Sequence, residues 1–297
     1  MPKNILIDYK NVDFFYKQTQ VLFDINLTIN KGQSVAIVGH NGAGKTTLIK
    51  LLIGVLQPSS GAINSIEYVQ TNKLSFMPEH NALYSHLSGI ELMRYFAKLK
   101  GVEPSNINEI LKLVEIDFAA HKKISQYSKG MKQRLMLAQA LLSDPEILIL
   151  DEPYSGLDPN SKRLFSRILQ NLSVENKSII LSSHTLEGLS DIVDNVIFIK
   201  KGRVTLSGKI KTIIKNLGLN DKMQLTLDKG VSADEIIKSV QSLITSHTLL
   251  NNELILLYKT INNIALLKII VNITSVQDIV ITKANVNDAY YHIYNKS

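Results

Sequence analysis

The 297-residue chain contains no cysteine. That excludes a disulfide framework and any thiolate-bound metal, while leaving the compartment open. It also lacks any apolar run of about 18 residues, the length a helix needs to span a bilayer, so no direct membrane span is expected. Met1-Pro2-Lys3-Asn4-Ile5-Leu6-Ile7-Asp8 breaks into polar positions too early for a signal peptide, and a cytoplasmic location is the expectation. Blocks of like charge are missing too. The net charge is +7, but the basic residues are mostly lysines dispersed among Asp and Glu. This reads as a solvated surface with no nucleic-acid partner rather than an anion-seeking patch. No internal repeat is visible.

What is present is a globular composition, 45% hydrophobic and 20% charged, with length enough for one large domain or two ordinary ones. The most informative stretch is Gly39-His40-Asn41-Gly42-Ala43-Gly44-Lys45-Thr46-Thr47. It follows the apolar run Ser34–Val38 and precedes Leu48-Ile49-Lys50-Leu51-Leu52. Strand, glycine-rich turn and helix form the context in which G-x-x-x-x-G-K-[ST] cradles a phosphate chain. Gly39, Gly42 and Gly44 let backbone N–H groups turn inward, and a helix beginning near Lys45 adds the positive end of its dipole. Lys45 then reaches the β- and γ-phosphates, and the Thr46 hydroxyl takes a place on Mg²⁺. A nucleoside triphosphate is the implied ligand.

Residues 4–38 read as short strands at 5–7, 12–16, 21–23 and 25–29, the last with period-two alternation. Residues 62–77 give further strands. From about 86 to 143 apolar spacings of three and four predict a helical segment, including Ile90–Ala97, Ile107–Val114 and Met131–Leu142. Strand 147–150, a helix around 160–173, strand 178–181, a helix around 185–192 and strand 196–199 then alternate, which argues for an α/β fold with a largely parallel sheet. Past Gly208 a β-α-β-β-α-β order is expected: strand 223–227, helix 233–244, strands near 247–250 and 253–258, helix 262–270 and strand 276–283. That stretch has no glycine loop and no clustered acid, base or metal-ligand set, which favours an accessory role.

Ile147-Leu148-Ile149-Leu150-Asp151-Glu152-Pro153 ends an apolar strand in two carboxylates. A phosphate loop needs an acid at such a strand end to hold Mg²⁺ through water, which suits Asp151. Glu152 then polarises the attacking water as a general base. The bland alternative is two exposed acids in a loop. Upstream, Tyr127-Ser128-Lys129-Gly130-Met131 opens a striped helix with a Ser cap, a second anion-binding pattern that is weak by itself.

Taken together, residues 5–210 resemble the nucleotide-binding subunit of an ABC transporter. Gly39–Thr47 matches Walker A and Ile147–Asp151 Walker B. Tyr127–Met131 stands in the place of the signature Leu-Ser-Gly-Gly-Gln, Ser155-Gly156-Leu157-Asp158 matches the D-loop, and His184 the switch histidine. The resemblance implies the P-loop ABC ATPase fold: a mostly parallel sheet core, an antiparallel β subdomain and a helical insert over about 86–143. It places that domain at 1–215, with a small α+β accessory domain at 216–297.

The resemblance also assigns roles. Tyr16 stacks on adenine, with strand-end packing as the alternative. Lys45, Glu152 and His184 carry catalysis, His184 by contacting the γ-phosphate. ATP is bound by residues 39–47, Asp151 and Glu79, with Thr46, Asp151 and Glu79 toward Mg²⁺. Ser128 and Gly130 act in trans on ATP held by a second nucleotide-binding domain, an identical copy or a close paralogue, in a head-to-tail dimer. The departures are Lys129 for the signature's Gly, Met131 for its Gln, and Glu79 for the Q-loop Gln. They resemble the type-two exporter branch, in which a separately encoded membrane permease carries substrate outward and holds the ATPase at the inner face of the membrane. Leu83, Tyr84, Leu87, Tyr95 and Phe96 form either a groove for that permease or core. A non-transport ABC ATPase with a soluble or nucleic-acid partner is the alternative, but no second cassette or long coiled-coil insertion accompanies this one. No Asn-Lys-x-Asp guanine-reading motif supports a GTPase.

Overall fold

The structure, a computed structural model, describes residues 5–64, 73–80, 83–175, 177–185, 189, 192–228 and 231–294. The chain divides into two compact units, Met1–Lys209 and Ile210–Ser297. The division falls short of the 215/216 boundary expected from sequence, because the helix Ile210–Asn216 groups with the second unit.

The first unit is built on a six-stranded sheet in the order β5-β6-β7-β3-β8-β9. Its strands are β3 (Ser34–Val38), β5 (Leu74–Met77), β6 (Ile147–Leu150), β7 (Ser178–Ser183), β8 (Asn195–Lys200) and β9 (Arg203–Lys209). All neighbours are parallel except β8 and β9. Every residue of β3, β6 and β7 is buried. This is why these strands are apolar runs rather than alternating ones: helices or a second sheet cover both faces. A three-stranded antiparallel sheet, β2-β1-β4, adjoins it, made of β1 (Ile5–Tyr16), β2 (Thr19–Asn30) and β4 (Ser60–Asn64). The four short strands expected between residues 4 and 30 are thus two long ones. Tyr9, Leu22, Ile25, Leu48, Ile49 and Ile37 join both sheets and the first helix in one core.

Helix α1 (Lys45–Leu52) follows the phosphate-loop sequence. The helical segment holds α2 (Gly89–Lys100), α3 (Ile107–Leu113) and α4 (Lys129–Leu141). α2 starts at a capping box between Ser88 and Glu91 and stops at Gly101 in the left-handed conformation. α5 (Pro159–Val174) is capped by Asp158 and buries Phe165, Ile168, Leu169 and Leu172. The helix expected around 185–192 falls largely outside the described residues.

The second unit contains α6 (Ile210–Asn216), β10 (Asp221–Leu227), α7 (Asp234–Val240), β11 (Ile244–Leu250), β12 (Glu253–Tyr258), α8 (Asn263–Ile270), β13 (Val276–Thr282) and α9 (Val286–Tyr294). From β10 to β13 the expected β-α-β-β-α-β order is present, in an antiparallel sheet ordered β11-β12-β10-β13. Alternate residues Met223, Leu225, Leu227, Leu254, Leu256 and Tyr258 are buried with Ile236 and Val240 of α7 and Leu266 and Ile270 of α8. Among the described residues, no helix of the chain is long and apolar enough to cross a membrane.

Candidate active site

The chemistry-bearing residues gather at the C-terminal ends of β5, β6, β7 and β3, where open α/β sheets leave a crevice for ligands. Register does this. Met77 lies beside Leu150, Leu150 beside Leu181, and Val38 beside Ser183. Glu79, Asp151, Glu152, His184 and Gly39 therefore leave the sheet on one edge.

Between β3 and α1 the chain wraps tightly. Gly44 adopts φ 106, which an L side chain resists, and a Cβ there would stand 2.7 Å from Leu22. Lys45 is buried and folds back into its own loop, its Nζ donating to Gly39 O at 2.8 Å and His40 O at 3.4 Å. His40, Asn41, Gly42 and Thr46 are exposed, while Ala43, Gly44 and Thr47 are buried. A cleft of about 320 Å³ opens here, lined by Val21, Asn41, Gly42, Gly44, Lys45, Thr46, Thr47, Glu79 and Glu152.

Both acids are buried. Asp151 accepts a hydrogen bond from Thr46 Oγ1 at 3.0 Å on one oxygen and from Ser182 Oγ on the other. Glu152 sits at φ 45, a strained position for a non-glycine residue, and its N–H donates to Ser182 Oγ at 2.8 Å. Its Oε2 meets His184 Nδ1 at 2.8 Å. Its Oε1 forms an ion pair with Lys45 Nζ at 3.1 Å and, among the described residues, accepts no hydrogen bond. Glu79 accepts a hydrogen bond from Ser155 Oγ at 3.4 Å and lies 3.8 Å from His80.

The sequence-expected residues thus divide. Residues 39–47, Glu79, Asp151, Glu152 and His184 come together. Tyr16 lies at the end of β1, opposite Thr19, exposed and edge-on to Phe14 with centroids 4.8 Å apart; it does not line the cleft. Ser128 and Gly130 do not line it either. Ser128 caps α4 by accepting the Met131 N–H at 3.2 Å, and Gly130 admits Ser161, whose Oγ would lie 2.5 Å from an added Cβ. Three residues were missed from sequence. Val21 forms a wall of the cleft, Ser182 bridges both acids, and Gln133 donates from α4 to Pro153 O at 2.9 Å. Only Ser182 left a trace, as a polar residue ending an apolar strand.

Residues 22–155 match the ABC transporter family model. An ABC transporter ATP-binding protein of Methanocaldococcus jannaschii is 33% identical over 216 residues, 71% of this chain and 80% of that protein. The chain belongs to the ABC transporter ATP-binding proteins. This cassette also matches the structure of CbiO1 of Clostridium perfringens, part of the CbiONQ transporter complex. The TM-score is 0.64 and identity 27%, over 73% of this chain and 95% of CbiO1. The fold is shared with a dimeric, ADP- and phosphate-bound ATP-binding cassette at TM-score 0.61 and 23% identity, covering 68% and 98%. As an ABC ATPase the cassette binds and hydrolyses ATP.

Proposed function

We propose that the cassette powers outward transport of a substrate by a separately encoded membrane permease, through ATP-dependent head-to-tail closure of two copies or of this chain with a close paralogue. The single observation that carries the hydrolytic assignment is Glu152 Oε1. It is buried at the cleft and ion-paired with Lys45 at 3.1 Å, with no hydrogen bond to it among the described residues, so a phosphate that draws Lys45 away frees it. Such an oxygen is available to take a proton from a water attacking the γ-phosphate. His184 holds the other oxygen and so orients the base.

Residues 39–47 and Lys45 bind the phosphates. Thr46 and Asp151, a hydroxyl and a carboxylate already in contact, form the hard-oxygen donor set that suits Mg²⁺, with Glu79 beside them in the cleft. Bound there, Mg²⁺ would neutralise charge on the β- and γ-phosphate oxygens. Tyr16, exposed at the end of β1 and outside the cleft lining, is the residue we assign to stacking on the adenine. Ser128 and Gly130 lie away from their own chain's cleft, which supports the reading that they serve a partner's nucleotide. Tyr84 and Tyr95 pack edge-on with centroids 5.8 Å apart and remain 47% and 44% exposed. Together with Phe96 and Leu99 they form the surface we assign to the permease, which would hold the cassette on the inner face of the membrane. The unit Ile210–Ser297 serves as an accessory domain.

Glu152→Gln tests the assignment. It should retain ATP binding, lose turnover and accumulate an ATP-dependent dimer in size-exclusion chromatography. A variant that hydrolyses ATP at the wild-type rate would show that Glu152 is not the base.

A further inference from the structure

Lys129 and Gln133 stand one helical turn apart on the same face of α4, and both reach the turn that follows Glu152. Gln133 is buried and grips Pro153 O. Lys129 lies over Gly156: a Cβ added to that glycine would stand 2.0 Å from the lysine Nζ and 3.1 Å from its Cε. Gly156 has φ +65, so the turn there is one that glycine makes without strain. The exposed side chain of Lys129 lies across the space that residue 156 leaves.

The gripped turn is tied to the chemistry. Ser155 N–H donates to Glu152 O at 3.0 Å, and Ser155 Oγ donates to Glu79 Oε1 at 3.4 Å. Holding Gly156 therefore holds Ser155, and with it the backbone of Glu152 at its strained φ of 45. Electrostatics do not account for the lysine. Among the described residues its ammonium makes no ion pair or hydrogen bond. It occupies the first turn of a helix that has no acid there, where the dipole disfavours a cation.

We propose that Lys129 is a positioning residue that clamps the Ser155–Asp158 turn against α4 and thereby fixes Glu152 for ATP hydrolysis. The inference rests on Glu152 being the base. Removing a brace felt mainly in the transition state lowers kcat without a matching change in KM. On the full chain with Mg-ATP, Lys129→Ala should lower kcat about fivefold and leave KM within about twofold, while Lys129→Arg keeps at least about half the wild-type kcat. Lys129→Ala combined with Gly156→Ala should cost no more than the larger single change, since Gly156→Ala already displaces the lysine besides straining the turn at φ +65.

An unchanged kcat in Lys129→Ala overturns the proposal. So does a raised KM at constant kcat, which would place the ammonium on nucleotide instead. Failure of Arg to restore kcat, or additive losses in the double variant, would do the same. Wild-type activity in Glu152→Gln would sink the base assignment itself, and is a separate result.

Discussion

Ser182 offers the sharpest test of how the site is held together. Its hydroxyl is fully buried on β7 and serves both catalytic-side acids, donating to Asp151 Oδ1 and accepting the Glu152 N–H at 2.8 Å. Ser182→Ala removes one oxygen and leaves the packing almost unchanged. Asp151 keeps its Thr46 partner at 3.0 Å but loses a donor. A hydrogen bond to a charged group is worth about 1.5–3 kcal/mol, and a stranded buried N–H costs about 1–3 kcal/mol. The two losses share an atom, so a total of about 2–4 kcal/mol is expected.

For a unit the size of Met1–Lys209, each kcal/mol moves the melting temperature by about 2–4 °C, so its calorimetric transition should fall by about 5–15 °C. ATP turnover should fall with it, because Glu152 loses the anchor that sustains its backbone conformation. The neighbouring Ser183→Ala is the control. Among the described residues Ser183 Oγ accepts only the Thr185 N–H at 3.1 Å, and its carbonyl keeps the Gly39 N–H at 3.2 Å, so about 1 kcal/mol is at stake. Ser182→Ala melting with the wild type, or Ser183→Ala falling as far, would show that the Ser182 bridge does not hold the site.

Two further outcomes follow from local geometry. Gly39→Ala would put a methyl carbon 2.4 Å from Ile199 O, a backbone atom that cannot swing aside, so the phosphate loop must shift; a nucleotide titration should show at least about a tenfold weaker ATP affinity, since a displaced cradle loses several N–H contacts. Asp158 is held below the usual carboxylate range first by the Ser161 hydroxyl and then by backbone N–H groups at the start of α5. Its contribution is complete above the unfolded pKa of about 4 and lost as pH falls through the lower folded value, so melts below about pH 4 should show wild type converging on Asp158→Asn; parallel curves would contradict this.

What could be read from sequence was whatever a backbone demand writes directly into residue type. A phosphate cradle needs glycines, a lysine and a hydroxyl in fixed order, and residues 39–47 supply them. Two-faced burial makes β3, β6 and β7 into apolar runs, and the acids after β6 stand out against that run. In the C-terminal unit the alternation of β10 and β12 is clean because one face packs on helices. β1 and β2 were misjudged as fragments for a physical reason. Register shifts at Tyr9/Val12 and Val12/Phe14, with Asn11 and Asp24 at positive φ, interrupt the period-two pattern while pairing continues. Ser182 shows only as a polar residue ending an apolar strand and Lys129 only as a departure from the signature, and neither pattern names its partner. Their meaning comes from residues about 30 positions away that the sheet and the helix bring beside them.

The two oxygens of Glu152 explain why these distant contacts matter. His184 holds Oε2 at 2.8 Å, and Lys45 stands 3.1 Å from Oε1 while donating its hydrogen bonds to the loop carbonyls of Gly39 and His40. A phosphate reaching Lys45 competes with both kinds of partner, and its charge draws the ammonium away from Oε1. Oε2 is held by the histidine, which restrains the carboxylate from following. The oxygen released is the one that lacks a donor, on the side where the phosphate has arrived. With Glu152 as the proposed base, binding of the phosphate would also expose it. That event is only as reproducible as the backbone under Glu152, which Ser182 holds from β7 and α4 holds through Pro153.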